Sequence, residues 1–427
     1  MPTTHSSLDN LSNSLASNVS ILTTYLDSVS YPAPSFDQSG PDVTLPKQAP
    51  QHVKIARQQL MDQALQIFQL AAGPSEFLAN LQPGYHNIAV LQWLCHFNIF
   101  RLVPEGGISY SELAQAAGVS EDKLKGVARM AMTTRLFCEP SPGHIMHTST
   151  SKLLATNPNH HDWAVFMCDL SAPTAASMVD AHQAWPNSDK KNQTAYNVAF
   201  QHDQPYFDHL KQQPERHKQF AGYMQAVTTS EGTDLVHLIN GFDWGSLGKA
   251  RIVDIGGSSG HASAALAERY PQLHLTVQDL PEVIVSSGAK AISTDADLSS
   301  RITFEPHSFF EEQTIHGADI YLLRMILHDW AFEDSVKILS NIVPSLGANS
   351  KIIIMDTVLP EPGSIPSSVE RLLRVRDLTM MQVFNSQERA VEDWGKVFEK
   401  ADPRLRVLEL NRPFGSNLAL IVLGLDG

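Results

Sequence analysis

The segment Arg324-Met-Ile-Leu-His328-Asp329-Trp330 directly follows an apolar run, Ala318 to Leu323, that reads as a strand. A histidine just past the carboxyl end of a strand sits where open α/β sheets bind their ligands. Its imidazole is the side chain whose ordinary pKa lies nearest neutrality, so it can serve as a general base. The next apolar run ends in Met355-Asp356-Thr357, and a carboxylate there can fix the imidazole tautomer. Glu388, in Asn385-Ser-Gln-Glu388-Arg, is a second candidate orienting acid, which sequence alone does not place.

A second constellation lies upstream. The run Arg251-Ile-Val-Asp254-Ile ends in Gly256-Gly257-Ser258-Ser259-Gly260-His261 and opens into a helix. Glycines at a strand-to-helix turn let a ligand lie against bare backbone at a helix N-terminus. Asp279 closes the following strand, Thr-Val-Gln-Asp279-Leu-Pro, where a carboxylate can accept both hydroxyls of a ribose. A nicotinamide site requires G-x-G-x-x-G; this spacing fits an adenosyl group without a pyrophosphate. There is no H-E-x-x-H and no tight acidic cluster, so no metal site is expected.

These residues need a scaffold. From residue 241 onward, β-rich runs alternate with helical ones, at Arg251–Ile255, Leu273–Gln278, Arg301–Glu305, Ala318–Leu323 and Lys351–Thr357. Two more, Leu405–Leu410 and Asn417–Gly424, are joined by a loop too short for a parallel crossover, so they must be antiparallel. The pattern predicts an α/β fold: a seven-stranded, Rossmann-like doubly wound sheet with its last strand antiparallel.

The N-terminal half reads as helical. Residues 8–28 show a three- and four-residue apolar period, and residues 30–50 carry five prolines, which read as a linker after an appended helix. A second helix runs from Gln51 and is stopped by Gly73-Pro74; a third apolar stretch spans Ile88 to Phe100. Ser109 to Ala117, a turn at Gly118-Val119-Ser120, a second helix and a hairpin over Phe137 to His147 form a helix-turn-helix with a wing. Pro173, Pro186 and Pro205 are expected to break the helices of residues 160–235. The expected domains are 1–50 (helix and linker), 51–240 (helical, winged-helix-like, dimerisation and substrate domain) and 241–427 (cofactor-binding domain).

Charge decides against the usual partner of a winged helix. With 31 Lys plus Arg against 45 Asp plus Glu, the 427-residue chain carries a formal charge of −14. Its second helix opens with Glu121 and Asp122, which would face phosphates. Nucleic acids and anionic membranes both need a positive surface, so neither is an expected partner. No apolar run approaches the ~20 residues of a membrane span. Three cysteines without C-x-x-C argue against a disulfide framework or structural zinc, and the start shows no signal peptide. A soluble, cytoplasmic protein is expected.

Taken together, Leu-Ala-Gln-Ala-Ala-Gly-Val, Val-Asp-Ile-Gly-Gly-Ser-Ser-Gly-His, Val-Gln-Asp-Leu-Pro-Glu-Val, Leu-Leu-Arg-Met-Ile-Leu-His-Asp-Trp, Ile-Met-Asp-Thr-Val-Leu-Pro-Glu-Pro-Gly and Asp-Leu-Thr-Met-Met-Gln-Val-Phe-Asn-Ser-Gln-Glu-Arg resemble one family. Residues 84–427 resemble the class I, plant-caffeate-type small-molecule O-methyltransferases, most of all their fungal secondary-metabolite branch. The resemblance implies S-adenosylmethionine as cofactor, with Gly256, Gly257, Asp279, Ser308, Phe309 and Arg324 at cofactor-binding positions. It implies His328 as base, with Asp356 and Glu388 as the acids that steer it. Phe220, Met224, Met380, Met381 and Asn385 match acceptor-pocket positions, the acceptor being a small aromatic, phenolic polyketide-like metabolite. A homodimer built through the N-terminal domain is implied as well. Ser308 replaces an Asp that in relatives helps bind adenine. The same scaffold resembles fungal pericyclases that retain the cofactor without methyl transfer. In those the base position is altered, whereas here the His-Asp-Trp segment and both acids are intact.

Overall fold

The computed structural model describes residues 5–285 and 296–426, which fold into two compact units. Of the described residues, the first comprises 5–177, 207–226 and 366–371; the second comprises 178–206, 227–285, 296–365 and 372–426. The chain thus passes between units several times, whereas a single crossing near residue 240 was expected. Segments 178–206 and 227–240 join the unit that holds the sheet.

In the first unit, α1 (His5–Ser28) and α2 (Gln51–Ala72) pack side by side. Leu22 meets Val53 and Ala56, and Gln63 joins Asn18 and Ser14 through its amide. The leading helix is therefore no free appendage: α2 of the same chain packs on it and buries Leu22, while Leu8 and Val19 of its apolar stripe stay exposed. The Pro-rich segment is also anchored, since Phe36 O accepts from Ser149 N and Asp37 bridges Thr148. Gly73, at φ +65°, ends α2 as expected.

Helix α3 spans Phe77–His96, starting eleven residues before the predicted apolar stretch. Its first half presents Phe77, Leu78, Leu81 and Tyr85 to solvent, and it tolerates Pro83 at the loss of one intrahelical bond. After it come β1 (Ile108–Ser109), helices Tyr110–Ala117 and Glu121–Met132, β2 (Cys138–Ser141) and β3 (His144–Met146), with the strands in the order β1-β3-β2. Ser109 closes a capping box with Glu112, and Gly118 ends the first of these helices at φ +67°. Pro173 does not break its helix. A π turn over Met167–Ser171 precedes it, with Ala172 N bonded to Met167 O, and this wider turn accommodates the proline ring.

The second unit is built on β4 (Ala250–Ile255), β5 (Leu273–Asp279), β6 (Ile302–Pro306), β7 (Ile320–Arg324) and β8 (Lys351–Asp356). Two short strands follow, β9 (Val358–Leu359) and β10 (Arg389–Ala390), and then β11 (Leu405–Asn411) and β12 (Ala419–Leu425). The sheet order is β11-β12-β8-β7-β4-β5-β6, with β12 antiparallel to both its neighbours.

Side-chain alternation splits the core into two layers, one on each face of the sheet. Val253, Ile255, Tyr321, Leu323, Ile352 and Ile354 pack with Val336, Leu339, Trp394 and Phe398. Ile252, Ile320, Leu322, Ile353 and Met355 pack on the other face with Ala262, Leu266 and Trp244.

From β4 the chain builds outward to β6, then returns to β7 on the other side. The direction of winding therefore reverses between β4 and β7, where such sheets open a crevice at their carboxyl ends. The glycine loop leaves β4 there, and the segment leading to His328 leaves β7.

Candidate active site

The loop after β4 needs its glycines. Gly256 and Gly260 sit at φ +71° and +78°. A Cβ on Gly256 would come 2.6 Å from Ile326 Cδ1, and one on Gly257 would come 2.7 Å from the Asp254 carboxylate. Ser258 takes φ +50°, a strained value for a residue with a side chain, and its N–H donates to Asp279 Oδ2 at 2.9 Å. Leu280 N donates to Asp279 Oδ1 at 2.7 Å. Burial lifts the Asp279 carboxyl above its ordinary value against those two donated bonds. Each oxygen keeps lone-pair capacity, so the carboxylate can still accept from a diol.

Beneath the loop, Asp254 is fully buried and accepts from Ser263 Oγ at 2.6 Å; burial raises it to about 6. Arg324 donates through Nη2 to Thr233 O at 2.8 Å. Its Nε and the Nε2 of His307 are buried polar atoms with no hydrogen-bond partner among the described residues. His307 lies beside Asp279, its N–H donating to Asp279 O at 2.9 Å. Bare glycine backbone, a half-buried acid and unpaired buried donors fit an adenosyl amino acid. Phe309 borders the same loop, 3.6 Å from the position of a Cβ on Gly256, and stands edge-on to Trp330. Ser308 folds its hydroxyl back onto Phe310 N at 3.3 Å.

Beyond β7, Met325 takes φ +56°, and a single 3-10 turn at Leu327–Asp329 turns His328 inward. His328 is buried, with Nδ1 3.0 Å from Glu388 Oε1 and Nε2 3.6 Å from Asp329 Oδ1. Glu388 is distant in sequence, and the parallel pairing of β10 with β9 draws it in beside the end of β8. Burial works against the imidazolium, but the charges of Glu388, Asp329 and Asp356 outweigh it and push His328 up to about 10. Burial raises the Glu388 carboxyl, yet His328 and Arg376, whose Nε lies 3.8 Å from Oε1, bring it below its ordinary value.

Asp356 departs from the expected role. Its Oδ2 accepts from Leu327 N at 3.1 Å, and Glu388, not Asp356, holds the imidazole by hydrogen bond. Asp356 makes no direct hydrogen bond to His328; it acts through its charge and through its bond to Leu327 N on the same turn. It is wholly buried at the end of β8, and burial lifts it to about 7.

Met381 and Asn385 line a cavity of about 540 Å³ with His182, Trp185, Asp377 and Leu378; neither Met380 nor His328 is in its lining. Asn385, at φ +50°, spends both amide hydrogens on Lys190 O and Gln193 O. Phe220 belongs to the first unit, where it packs against the rings of Phe166, Phe207 and Tyr223; Met224 lies one turn further along the same helix. Among the described residues, no group of three or more His, Cys, Asp or Glu is placed to hold a metal. No described helix is long and apolar enough to cross a membrane.

Sequence reasoning missed Asp329 as a charge on the base, and it missed Lys191 and Arg389. Asp329 could have been found by its adjacency to His328. The other two carry no sequence signal, because their partners are backbone carbonyls remote in the chain.

The pattern of an O-methyltransferase domain matches residues 182–402. The chain is 50% identical to the O-methyltransferase aoiF of Aspergillus oryzae over 98% of its own length and all of aoiF. It belongs to the O-methyltransferase family. Its activity is S-adenosylmethionine-dependent O-methylation of a small molecule. The fold of this methyltransferase matches that of OxaC, solved with sinefungin and meleagrin, at a TM-score of 0.75 and 21% identity over 97% of this chain and 99% of that one. A structure described as a pericyclic reaction enzyme matches at a TM-score of 0.71 and 26% identity over 89% of this chain and 96% of that one.

Proposed function

We propose that this methyltransferase acts on a phenolic hydroxyl of a small aromatic secondary metabolite, with His328 as the general base. The Glu388–His328 pair carries the reading. With Nδ1–H donated to Glu388, the neutral ring presents the Nε2 lone pair as proton acceptor. The surrounding acids raise the imidazole toward the range of a phenol, whose pKa is about 10, which favours proton transfer to it. When bound, the cofactor would supply an electrophilic methyl on a sulfonium.

His328 would take the acceptor proton at Nε2 as the oxygen gains the methyl, the sulfur–methyl bond of the cofactor breaking with its electron pair left on sulfur. Glu388 and Asp329 stabilise the resulting imidazolium. The glycine loop, Asp279 and Arg324 hold the cofactor. Burial of the site excludes water from the transfer.

The likeness to a pericyclic reaction enzyme favours a second reading, a rearrangement that keeps the cofactor intact. The intact His328–Glu388 pair supports methyl transfer over it.

The molecule works as a homodimer in this reading. Phe68 and Leu70 of α2 and Phe77, Leu78, Leu81 and Tyr85 of α3 are exposed, large apolar side chains that a second subunit would cover. We infer a reducing compartment, the cytoplasm, a reading that three cysteines without a disulfide support. Light scattering at micromolar concentration is expected to give about twice 47 kDa; a monomer with dilution-independent activity would oppose the dimer.

The test of the chemistry is His328→Ala, assayed on a panel of phenolic polyketides with labelled cofactor. Turnover should fall by roughly 10²–10⁴ with cofactor affinity within about threefold. Wild-type turnover in the variant at pH 7 would remove His328 as base. Product of unchanged mass from the wild type would favour the rearrangement.

A further inference from the structure

Every carbonyl of the turn that carries His328 is taken by a side chain. Leu327 O accepts from Arg389 Nη1 at 2.8 Å and from Ser335 Oγ at 3.2 Å. His328 O accepts from Ser386 Oγ at 2.5 Å. Trp330 O accepts from Arg389 Nη2 at 2.6 Å, and it lies 2.8 Å from Ser386 Oγ and 3.1 Å from Ser335 Oγ, whose single protons it shares with His328 O and Leu327 O. Asp329 O accepts from Lys191 Nζ at 2.9 Å.

Lys191 reaches the turn from a different part of the chain. Its Nζ also lies 3.0 Å from the centroid of the Trp330 ring, within cation–π range, and 6.0 Å from that of Phe384. The loop that bears it is fixed in turn by Asn385, which donates to Lys190 O and Gln193 O on either side. Trp330 continues the contact to Phe309 and Phe310, at ring-centroid distances of 5.5 and 4.5 Å.

We propose that Lys191 is a positioning residue for methyl transfer: its ammonium fastens Asp329 O and the Trp330 ring, and so holds His328 in line with the acceptor. The inference rests on His328 being the base. Failure of that assignment shows in His328→Ala, whereas failure of this one shows only in the Lys191 variants.

The clamp needs the ammonium charged. The carboxylates facing it are those of Asp329, on the turn, and Asp334, on the helix Phe332–Ile342; Phe384, from the helix Ser367–Phe384, is uncharged. Burial lowers Lys191 to about 8 against the pull of those two acids. Turnover should therefore lose its clamp above about pH 8, while the rising availability of neutral His328 works in the opposite direction.

The experiment compares Lys191→Met and Lys191→Arg with the wild type by turnover against pH, acceptor KM, and cofactor affinity by calorimetry. In Lys191→Met, turnover should fall by about 10- to 100-fold with cofactor affinity within about threefold. A guanidinium stays charged to beyond pH 12. Lys191→Arg should therefore keep at least about a third of wild-type turnover at pH 7 and go on rising above about pH 8, where the wild type levels off because the loss of the clamp offsets the gain in neutral His328. A Met variant with wild-type turnover, or an Arg variant that levels off above about pH 8 as the wild type does, would overturn the proposal. If Lys191→Met loses cofactor binding as well, it reports misfolding, and the pH profile of Lys191→Arg decides by itself.

Discussion

Glu388 Oε1 stands 3.0 Å from His328 Nδ1, and both groups are buried. Sixty residues apart in sequence, they form the one direct hydrogen bond between the base and an acid among the described residues. The pair fixes the tautomer, raises the imidazole pKa and leaves Nε2 for the reaction.

Glu388→Gln keeps the shape of that contact and removes its charge. Glu388 is the largest of the contributions that raise His328, so its loss lowers the imidazole pKa. A base is active when deprotonated, so the acid limb of log(kcat/KM) against pH should move to lower pH. The plateau should drop by roughly 10-fold or more, because a weaker base drives the transfer less. An unchanged limb position would show that Glu388 does not set the pKa of His328.

Asp356→Asn should be milder than Glu388→Ala. The amide oxygen can still accept from Leu327 N, and His328 keeps its bond to Glu388. Turnover within about tenfold of wild type is expected, against a loss of roughly 10² or more for Glu388→Ala. Steady-state kinetics of the two variants side by side checks the order; the reverse order would restore Asp356 as the orienting acid.

Asp279→Ala should weaken the cofactor. Losing a charged hydrogen-bonding partner costs roughly 1.5–3 kcal/mol, about 10–100-fold in affinity. Part of the loss is local, because Ser258 N and Leu280 N lose their acceptors. Calorimetry with S-adenosylmethionine, alongside a melting curve to confirm folding, measures it. Equal affinity would take Asp279 out of the site.

Ser308→Asp tests the departure at the end of β6. The hydroxyl now accepts from Phe310 N at 3.3 Å, a bond an aspartate can make equally well two residues back. The second carboxylate oxygen then offers the cofactor a charge-assisted acceptor. Affinity should hold or tighten by up to about tenfold. A loss beyond tenfold would mean that the added charge is repelled and that the neighbouring His307, whose Nε2 is unpaired, already serves the adenine.

Local physics made much of this protein legible without coordinates. Short, near-continuous apolar runs such as Ile252–Ile255 and Ile352–Met355 read as strands buried on both faces, and their alternation with helices points to a doubly wound sheet. Gly256, Gly257, Gly260, Asp279 and His328 are readable because each is fixed by its place at a strand end, a property of the chain near it. Contacts across the chain were not legible. The packing of α1 on α2 depends on which apolar face finds which. The choice of Glu388 over Asp356 as partner of His328 depends on the pairing of β9 with β10, two residues long and without a pattern of its own. Lys191 and Arg389 bond to carbonyls, which every residue carries, so nothing in their sequence neighbourhoods marks the partner. Sequence determined the sheet and the residues at its edge; tertiary structure alone decided which of them touch, because hydrogen bonds reach only about 3 Å and depend on closing the chain between their partners.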